Sequence, residues 1–157
     1  MILRRGEEGD LEAMMRIEED CFGTERFSPE VLRAFLLRED AFVILAVEDD
    51  EVVGSAMGLL TAERNEGKIA SIAVLRSHRG KGIGALLLEE CENIFRAHNM
   101  ARYTLEVETD NEPALSLYLS RGYEIKGTIK DFYARGRDAY CMEKRVASAG
   151  HKVIRPS

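Results

Sequence analysis

The most informative segment of the sequence is residues 68–97, which read KIASIAVLRSHRGKGIGALLLEECENIFRA. Its first part is rich in β-forming residues, and residues 83–97 carry apolar side chains at helical spacing. Between them lies a glycine-rich turn from Arg79 to Gly84. A helix that begins after such a turn presents unpaired backbone N–H groups and its positive dipole end to an anion. The glycines alone fit a tight connection without a ligand equally well, but the adjacent Arg79 and Lys81 favour phosphate.

The type of phosphate ligand is a separate question. Residues Gly80 to Ala85 also match the dinucleotide-binding pattern, with Glu106 near the place of a ribose-binding acid. That fold needs parallel strand–helix–strand units, whereas the strands before this turn are predicted to form an antiparallel hairpin. The Walker pattern is excluded because the sequence has no Gly-Lys-Ser or Gly-Lys-Thr. A nicotinamide-binding reductase therefore remains an alternative, but a less favoured one.

The rest of the chain alternates between helical and strand patterns. Helices are predicted over residues 10–22, 28–38, 83–97 and 111–121. Strands are predicted over residues 2–5, 41–47, 51–60, 68–75, 102–108, 123–129 and 138–145. The acidic turn at residues 48–50 joins a hairpin, which the turn at residues 65–67 extends into a meander. The predicted class is α/β, with a mixed, mostly antiparallel sheet flanked by helices, in a single domain of residues 1–146 and a flexible tail of residues 147–157.

Composition narrows the range of partners. The chain has 157 residues and a formal net charge of −6, and its basic residues are scattered among acidic ones. We therefore expect no nucleic-acid partner. No stretch approaches the roughly 20 apolar residues that span a bilayer, so we expect no signal peptide, no membrane association and a cytoplasmic location. The three cysteines lack zinc-binding spacing, and no metal is expected.

Several motifs together resemble the GNAT acyltransferase superfamily. Its signature of Arg or Gln, two residues, Gly, one residue and Gly or Ala is met by Arg79, Gly82 and Gly84. Downstream, the sequence resembles the N-terminal (Nα) acetyltransferase branch that includes the RimI enzymes, at Leu105-Glu106-Val107, Asn111, Ala114, Leu117-Tyr118, Gly122-Tyr123 and the late aromatic pair Phe132-Tyr133. The resemblance extends from Lys68 to Lys144 and is weak over the first 60 residues.

The resemblance implies a GNAT-like fold and acetyl-coenzyme A as co-substrate. The strand before the turn would lie along the pantetheine arm, at Ile72, Ala73 and Val74. The pyrophosphate would be wrapped by the turn residues Arg79, Gly80, Lys81, Gly82, Ile83, Gly84 and Ala85. Asn111 would hydrogen-bond the cofactor arm, and Tyr118 would lie near its sulfur. Acceptor choice would fall to residues 21–27, with Phe22, Glu25 and Phe27, and to a loop over residues 128–137, with Tyr133.

Attack on a thioester requires a neutral amine, and the reference pKa is about 8 for an amino terminus and about 10.4 for lysine. Glu106 is the candidate general base, acting through a water. Strand alternation puts Thr104, Glu106 and Glu108 on one face and Tyr103, Leu105 and Val107 on the other. From the strand pattern alone, a solvated polar strand edge is the alternative.

The candidate general acid is Tyr118, whose phenol would protonate the departing thiolate. The alternative is a core tyrosine, because Tyr118 shares an apolar helix face with Ala114 and Leu117. Asn111 has an alternative role as a helix N-cap.

The predicted activity is transfer of an acetyl group from acetyl-coenzyme A to the N-terminal α-amino group of a protein or peptide. Acetylation of lysine or of a small-molecule amine is one alternative. A module that binds acetyl-coenzyme A without turnover is another, and it would not depend on Glu106 or Tyr118. The sequence leaves open a homodimer or an auxiliary subunit.

Overall fold

The computed structural model describes residues 1–146, so the predicted tail at residues 147–157 lies outside the described residues. The helices are α1 (Leu11–Phe22), α2 (Pro29–Leu37), α3 (Ile83–Ala97) and α4 (Glu112–Ser120). The strands are β1 (Ile2–Arg5), β2 (Ala41–Glu48), β3 (Glu51–Thr61), β4 (Glu66–Val74), β5 (Arg102–Glu108), β6 (Glu124–Ala134) and β7 (Arg137–Arg145). Within these residues, no helix has the length and apolar character needed to cross a membrane.

The seven described strands follow the order β1-β2-β3-β4-β5-β7-β6 in the sheet. The pairs β1–β2, β2–β3, β5–β7 and β6–β7 are antiparallel, whereas β4 and β5 run parallel. The predicted mixed, mostly antiparallel α/β class is confirmed. The described residues divide into two compact units, one made of Met1–Leu60 with Ile69–Ile94 and the other of Thr61–Lys68 with residues 95–146.

In the first unit, local signals set the start of α2. The Ser28 hydroxyl accepts a hydrogen bond from the backbone N–H of Val31 at 3.2 Å, and Pro29 occupies the first turn. Such a cap contributes about 1 kcal/mol. The apolar side of α2 then packs with α1 against β2 and β3. The central cluster consists of Met14, Leu32, Val43, Leu45 and Met57.

In the second unit, β5 shows the predicted alternation. Tyr103, Leu105 and Val107 are buried, and the residues between them are half-buried. The ring of Phe95 lies 5.1 Å from that of Tyr103. Because side chains alternate along a strand, the apolar core takes one face of β5 and leaves Thr104, Glu106 and Glu108 together on the other.

The strand β4 begins two residues earlier than predicted. The turn before it is a 3₁₀ turn over Ala62–Arg64 followed by Asn65 at φ +51°, and Glu66 already belongs to the strand. The early start matters because Glu66 pairs with Arg102 and Lys68 with Thr104 in the parallel ladder. Two charged side chains of β4 therefore share the polar face of β5.

The predicted loop over residues 128–137 is wrong, because β6 continues to Ala134 and β7 begins at Arg137. Phe132 and Tyr133 consequently lie in a strand. The ladder between β6 and β7 is irregular between Ile129 and Ala134, and carboxylates replace its missing bonds. Asp131, at φ +56°, accepts from the N–H of Gly136 at 2.6 Å, and its own N–H donates to Asp138 Oδ1 at 2.9 Å.

Candidate active site

The predicted site residues fall into two groups. The turn, the end of β4 and the predicted acceptor residues Phe22, Glu25 and Phe27 belong to the first unit. Glu106, Asn111, Tyr118 and Tyr133 belong to the second.

The glycine turn has the backbone that the sequence pattern predicts. Gly80 and Gly82 have φ values of +81° and +82°, and a Cβ at either position would meet no atom within 4 Å. The carbonyl of Gly82 accepts the first helical hydrogen bond, from Leu86 N at 3.1 Å, and α3 then runs for 15 residues. The open space beside a helix N-terminus fits a phosphate group. Gly84 and Ala85 lie half-buried in the first turn of α3, and Ile83 is buried.

The end of β4 is tied to this turn through one carbonyl. Val74 O accepts from Arg79 Nε at 3.1 Å and from Cys21 Sγ at 3.3 Å. A carbonyl has two lone pairs, so Val74 O has little capacity for a third partner. Of the other two predicted pantetheine-lining residues, Ala73 is buried and Ile72 is half-buried.

A carboxylate lies beside the cations of the turn. Glu48, the last residue of β2, places Oε2 at 3.9 Å from Lys81 Nζ and 3.6 Å from His78 Nε2. Lys81 is more than half exposed, with a side-chain exposure of 53%. The charge that Lys81 would offer to a phosphate is therefore partly offset by Glu48.

The predicted acceptor segment is anchored to a buried acid. Glu18 on α1 is only 2% exposed, and its Oε1 accepts from the backbone N–H of Phe27 at 2.7 Å. Burial raises the pKa of Glu18, which the Phe27 hydrogen bond only partly opposes. The Phe27 ring stacks on Phe35 at 6.3 Å and packs against the core cluster. Phe22, by contrast, is exposed at the end of α1, and Glu25 is exposed in the 3₁₀ turn that follows.

An open groove of about 440 Å³ runs along this segment. It is lined by Thr24, Arg26, Phe27, Ser28 and Pro29. The ring of Phe27 thus packs against Phe35, and Phe27 also lines the groove. A peptide in the groove would contact Phe27.

Four carboxylates form a row on the polar face of the second unit, which we call the carboxylate row: Glu66, Glu106, Glu108 and Glu143. Arg102 donates to Glu143 Oε1 at 2.7 Å and to Glu66 Oε1 at 2.9 Å. The second oxygen of Glu66 accepts from Thr104, and that of Glu143 accepts from Arg145.

The other two carboxylates of the row are bound differently from one another. Glu108 is held at both oxygens by Arg137, through Nε at 2.8 Å and Nη2 at 2.6 Å. Among the described residues, only Lys68 donates to Glu106, from Nζ to Oε2 at 2.8 Å. Within residues 1–146, Oε1 of Glu106 is therefore the one oxygen of the row that accepts no hydrogen bond. This oxygen is available to a substrate or a water.

Tyr133 lies beside the row. Burial, together with the negative charges of Glu106 and Glu108, raises the pKa of Tyr133 to about 12. The guanidinium of Arg137 stands over its ring at 5.8 Å. The phenol is therefore a neutral hydrogen-bond donor throughout the physiological pH range.

Helix α4 presents the remaining two residues. Asn111 is its N-cap: Oδ1 accepts from Ala114 N at 3.3 Å, so the capping role considered from the sequence is confirmed. This leaves the Asn111 amide NH₂ as the group that could donate to a cofactor. Tyr118 is 8% exposed, and its ring packs edge-on against Tyr123 at 5.8 Å.

Residues 11–123, which include the turn, Glu106, Asn111 and Tyr118, match the family model described as the Acetyltransferase (GNAT) family. The chain belongs to the GNAT acetyltransferase family. It is therefore an N-acetyltransferase, as the sequence resemblance implied.

One similar protein matches nearly the whole chain, and another matches about two thirds of it. An uncharacterized N-acetyltransferase of Methanocaldococcus jannaschii is 32% identical over 155 residues, or 98% of this chain and 97% of that protein. An N-alpha-acetyltransferase of Sulfurisphaera tokodaii is 35% identical over 115 residues, or 66% of this chain and 68% of that protein.

Solved structures share the fold. The ribosomal-protein-S18-alanine N-acetyltransferase of Escherichia coli superposes with a TM-score of 0.86 at 22% identity, covering 95% of this chain and 96% of that one. The PaiA N-acetyltransferase of Thermoplasma acidophilum, solved in complex with coenzyme A, gives 0.78 at 21% identity, covering 92% and 98%. At these identities the likeness establishes the fold of this GNAT protein.

Sequence reasoning missed four charged residues that contact the predicted ones: Glu18, Glu48, Lys68 and Arg137. Each contacts a residue that is distant in the sequence, as with Lys68 and Glu106, which are 38 residues apart. The sequence contained one usable signal, which is Lys68 at the start of a largely apolar predicted strand. A charged residue in such a strand indicates a polar neighbour.

Proposed function

We propose that this GNAT protein transfers the acetyl group of acetyl-coenzyme A to the N-terminal α-amino group of a protein or peptide. The observation that carries the proposal is the state of Glu106, whose Oε1 is the single oxygen of the carboxylate row that accepts no hydrogen bond from residues 1–146. An acceptor amine is protonated at neutral pH and must lose a proton before it attacks a thioester. An open carboxylate oxygen, directly or through a water, supplies that function.

The α-amino group is the better match of acceptor to base. The reference pKa of an α-amino group is about 8, against about 10.4 for lysine. Transfer of its proton to a carboxylate is therefore less unfavourable. The likeness to a protein described as an N-alpha-acetyltransferase supports the same choice.

The residues assigned to co-substrate binding are those of the turn and of β4 in the first unit and Asn111 in the second. Acetyl-coenzyme A supplies the thioester. The N–H groups of the turn and of the first residues of α3 would bind its pyrophosphate, with the charges of Arg79 and Lys81 beside them. Ile72 and Ala73 on β4 and the NH₂ of Asn111 would bind its arm. The acceptor would contact Phe22, Glu25, Phe27 and Tyr133.

Proton release and delivery are assigned to the second unit. Glu106 accepts the proton of the amine, and the hydroxyl of Tyr118 donates one to the sulfur that leaves. We further propose that residues 1–146 act as one acetyltransferase domain.

The test compares three versions of one peptide in the presence of acetyl-coenzyme A: a free amino terminus without lysine, a free amino terminus with lysine, and a blocked amino terminus with lysine. Mass spectrometry should find one acetyl group on each free amino terminus and none on the blocked peptide. Acetylation confined to lysine would overturn the α-amine assignment, and the absence of any transfer would favour a binding module.

The roles of the two side chains are tested separately. Glu106→Gln should lower kcat/KM by about 100-fold near neutral pH, with partial recovery at higher pH. Glu124→Gln, which alters an exposed carboxylate paired with Lys126, is the matched control and should be unaffected. Tyr118→Phe should lower kcat by at least about 100-fold with unchanged cofactor affinity. A lower melting temperature with normal turnover would instead identify Tyr118 as a core residue.

A further inference from the structure

Glu106 differs from its neighbours in the number of oxygens that are held. Glu66, Glu108 and Glu143 each have both oxygens occupied, and their positions are therefore fixed by two contacts. From the part of the chain that the structure describes, Glu106 receives one such contact, from Lys68. The orientation of Oε1 therefore depends on the contact that holds Oε2.

The geometry of Lys68 suits that task. The register of the parallel ladder sets Lys68 opposite Thr104, so its side chain extends along β5 to reach Glu106 at 2.8 Å. Both side chains are partly shielded, with 35% of Lys68 and 20% of Glu106 exposed. The shielding reduces screening by water, so the two charges attract each other more strongly than those of a fully exposed ion pair.

The type of cation also matters. An ammonium is a compact point donor, whereas a guanidinium presents a planar fork that can engage both carboxylate oxygens. Arg137 does the latter to Glu108. Lysine at residue 68 holds Oε2 of Glu106 and leaves Oε1 accessible.

We propose that Lys68 is a positioning residue of the acetyl transfer: its ammonium fixes Oε2 of Glu106 and thereby aims Oε1 at the acceptor amine. The role rests on the function proposed above for Glu106. Without Lys68, the carboxylate of Glu106 rotates about its side-chain torsions. The fraction of molecules in which Oε1 points at the acceptor amine then falls. A misplacement of about 1 Å can lower a rate by up to about 100-fold.

The experiment is a double-mutant cycle with Lys68→Met and Glu106→Gln, measured by steady-state kinetics and by calorimetric titration with acetyl-coenzyme A. Lys68→Met should lower kcat by about tenfold, while the KM for the peptide and the Kd for acetyl-coenzyme A stay within about twofold. In the Glu106→Gln background, the same change should cost nothing further, because Lys68 acts only through that carboxylate.

Lys126→Met is the matched control, since it removes a lysine from an exposed ion pair of the same unit. It should leave kcat unchanged. If Lys68→Met does not fold, as judged from its melting curve, Lys68→Gln replaces it in the cycle with the same expected result.

The outcomes separate the two proposals. If Glu106→Gln lowers kcat but Lys68→Met does not, the positioning role is overturned and the role of Glu106 stands. Additive losses in the double variant also overturn it, because Lys68 would then act through some other group. If Glu106→Gln has wild-type turnover, the proposed base is wrong, and the role of Lys68 is wrong with it.

Discussion

Replacing Arg102 with methionine should destabilise this protein far more than the loss of an ordinary surface arginine. Its guanidinium donates to Glu143 at 2.7 Å and to Glu66 at 2.9 Å. The side-chain exposures are 27% for Arg102, 13% for Glu66 and 12% for Glu143. Methionine keeps most of the aliphatic length, so the variant removes the charge and the hydrogen bonds while largely preserving packing.

The magnitude follows from partial burial. Two unit charges about 4 Å apart attract by about 4 kcal/mol at an effective dielectric constant of about 20, but desolvation offsets much of this. Removing one member of a fully buried pair costs about 3–5 kcal/mol. Because these side chains keep some exposure to water, we expect a loss of about 2–3 kcal/mol in the free energy of unfolding at pH 7.

The loss should depend on pH through Glu143. Burial acts to raise the pKa of Glu143, but hydrogen bonds from Arg102 and Arg145 outweigh it and hold that pKa below its ordinary value. A carboxyl group with a depressed pKa contributes stability above its unfolded-state pKa, and this contribution is lost as the pH falls through the folded-state value. The gap between wild type and variant should therefore be complete at pH 7 and narrow below about pH 4.3.

Urea denaturation followed by circular dichroism, at pH 7 and at a series of pH values stepped downward from about 4.3, measures both effects. Lys126→Met, in an ion pair whose side chains are 51% and 74% exposed, is the control. It should cost less than about 0.5 kcal/mol. If Arg102→Met were as stable as this control at pH 7, the contacts of Arg102 with Glu66 and Glu143 would contribute nothing to the fold, and the reasoning from partial burial would fail.

Three further changes test other parts of the structure. Gly82→Val should weaken acetyl-coenzyme A binding by more than tenfold, because φ +82° is strained for a β-branched residue; calorimetric affinity within about threefold of wild type would contradict it. Burial raises the pKa of Glu18, so wild type should lose stability relative to Glu18→Gln as the pH rises from about 4.3 through the folded-state pKa; a pH-independent difference in denaturation would contradict this. Glu48→Gln should tighten acetyl-coenzyme A binding about two- to threefold at low salt by freeing Lys81, an effect that titration in 0.5 M salt should abolish if the cause is electrostatic.

The elements that the sequence predicted well have signals within a few residues. Ser28 followed by Pro29 marks the start of α2, and the cap forms as the pattern indicates. The alternation of β5 is visible in seven residues and is matched by burial. The glycines of the turn identify a backbone that other residues adopt only with strain, and the positive φ values at Gly80 and Gly82 agree.

The segment at residues 128–137 was mispredicted because its strand character comes from tertiary contacts. The part of β6 that was missed, residues 130–134, does not alternate between apolar and polar side chains. Its ladder is completed by the carboxylates of Asp131 and Asp138, which a sequence pattern assigns to turns. An edge strand held by such bonds is indistinguishable from a loop until its partner β7 is known.

The carboxylate row shows where sequence reasoning about this site stops. Alternation correctly put Glu106 and Glu108 on one face of β5, but it treats the two acids as equivalent. Their difference comes from cations 38 and 29 residues away along the chain, brought near by the registers of β4 and β7. Lys68 supplies one donor atom to Glu106, whereas Arg137 supplies two to Glu108 and fills both oxygens. The open oxygen therefore falls on Glu106 because a point donor faces one acid and a forked donor faces the other.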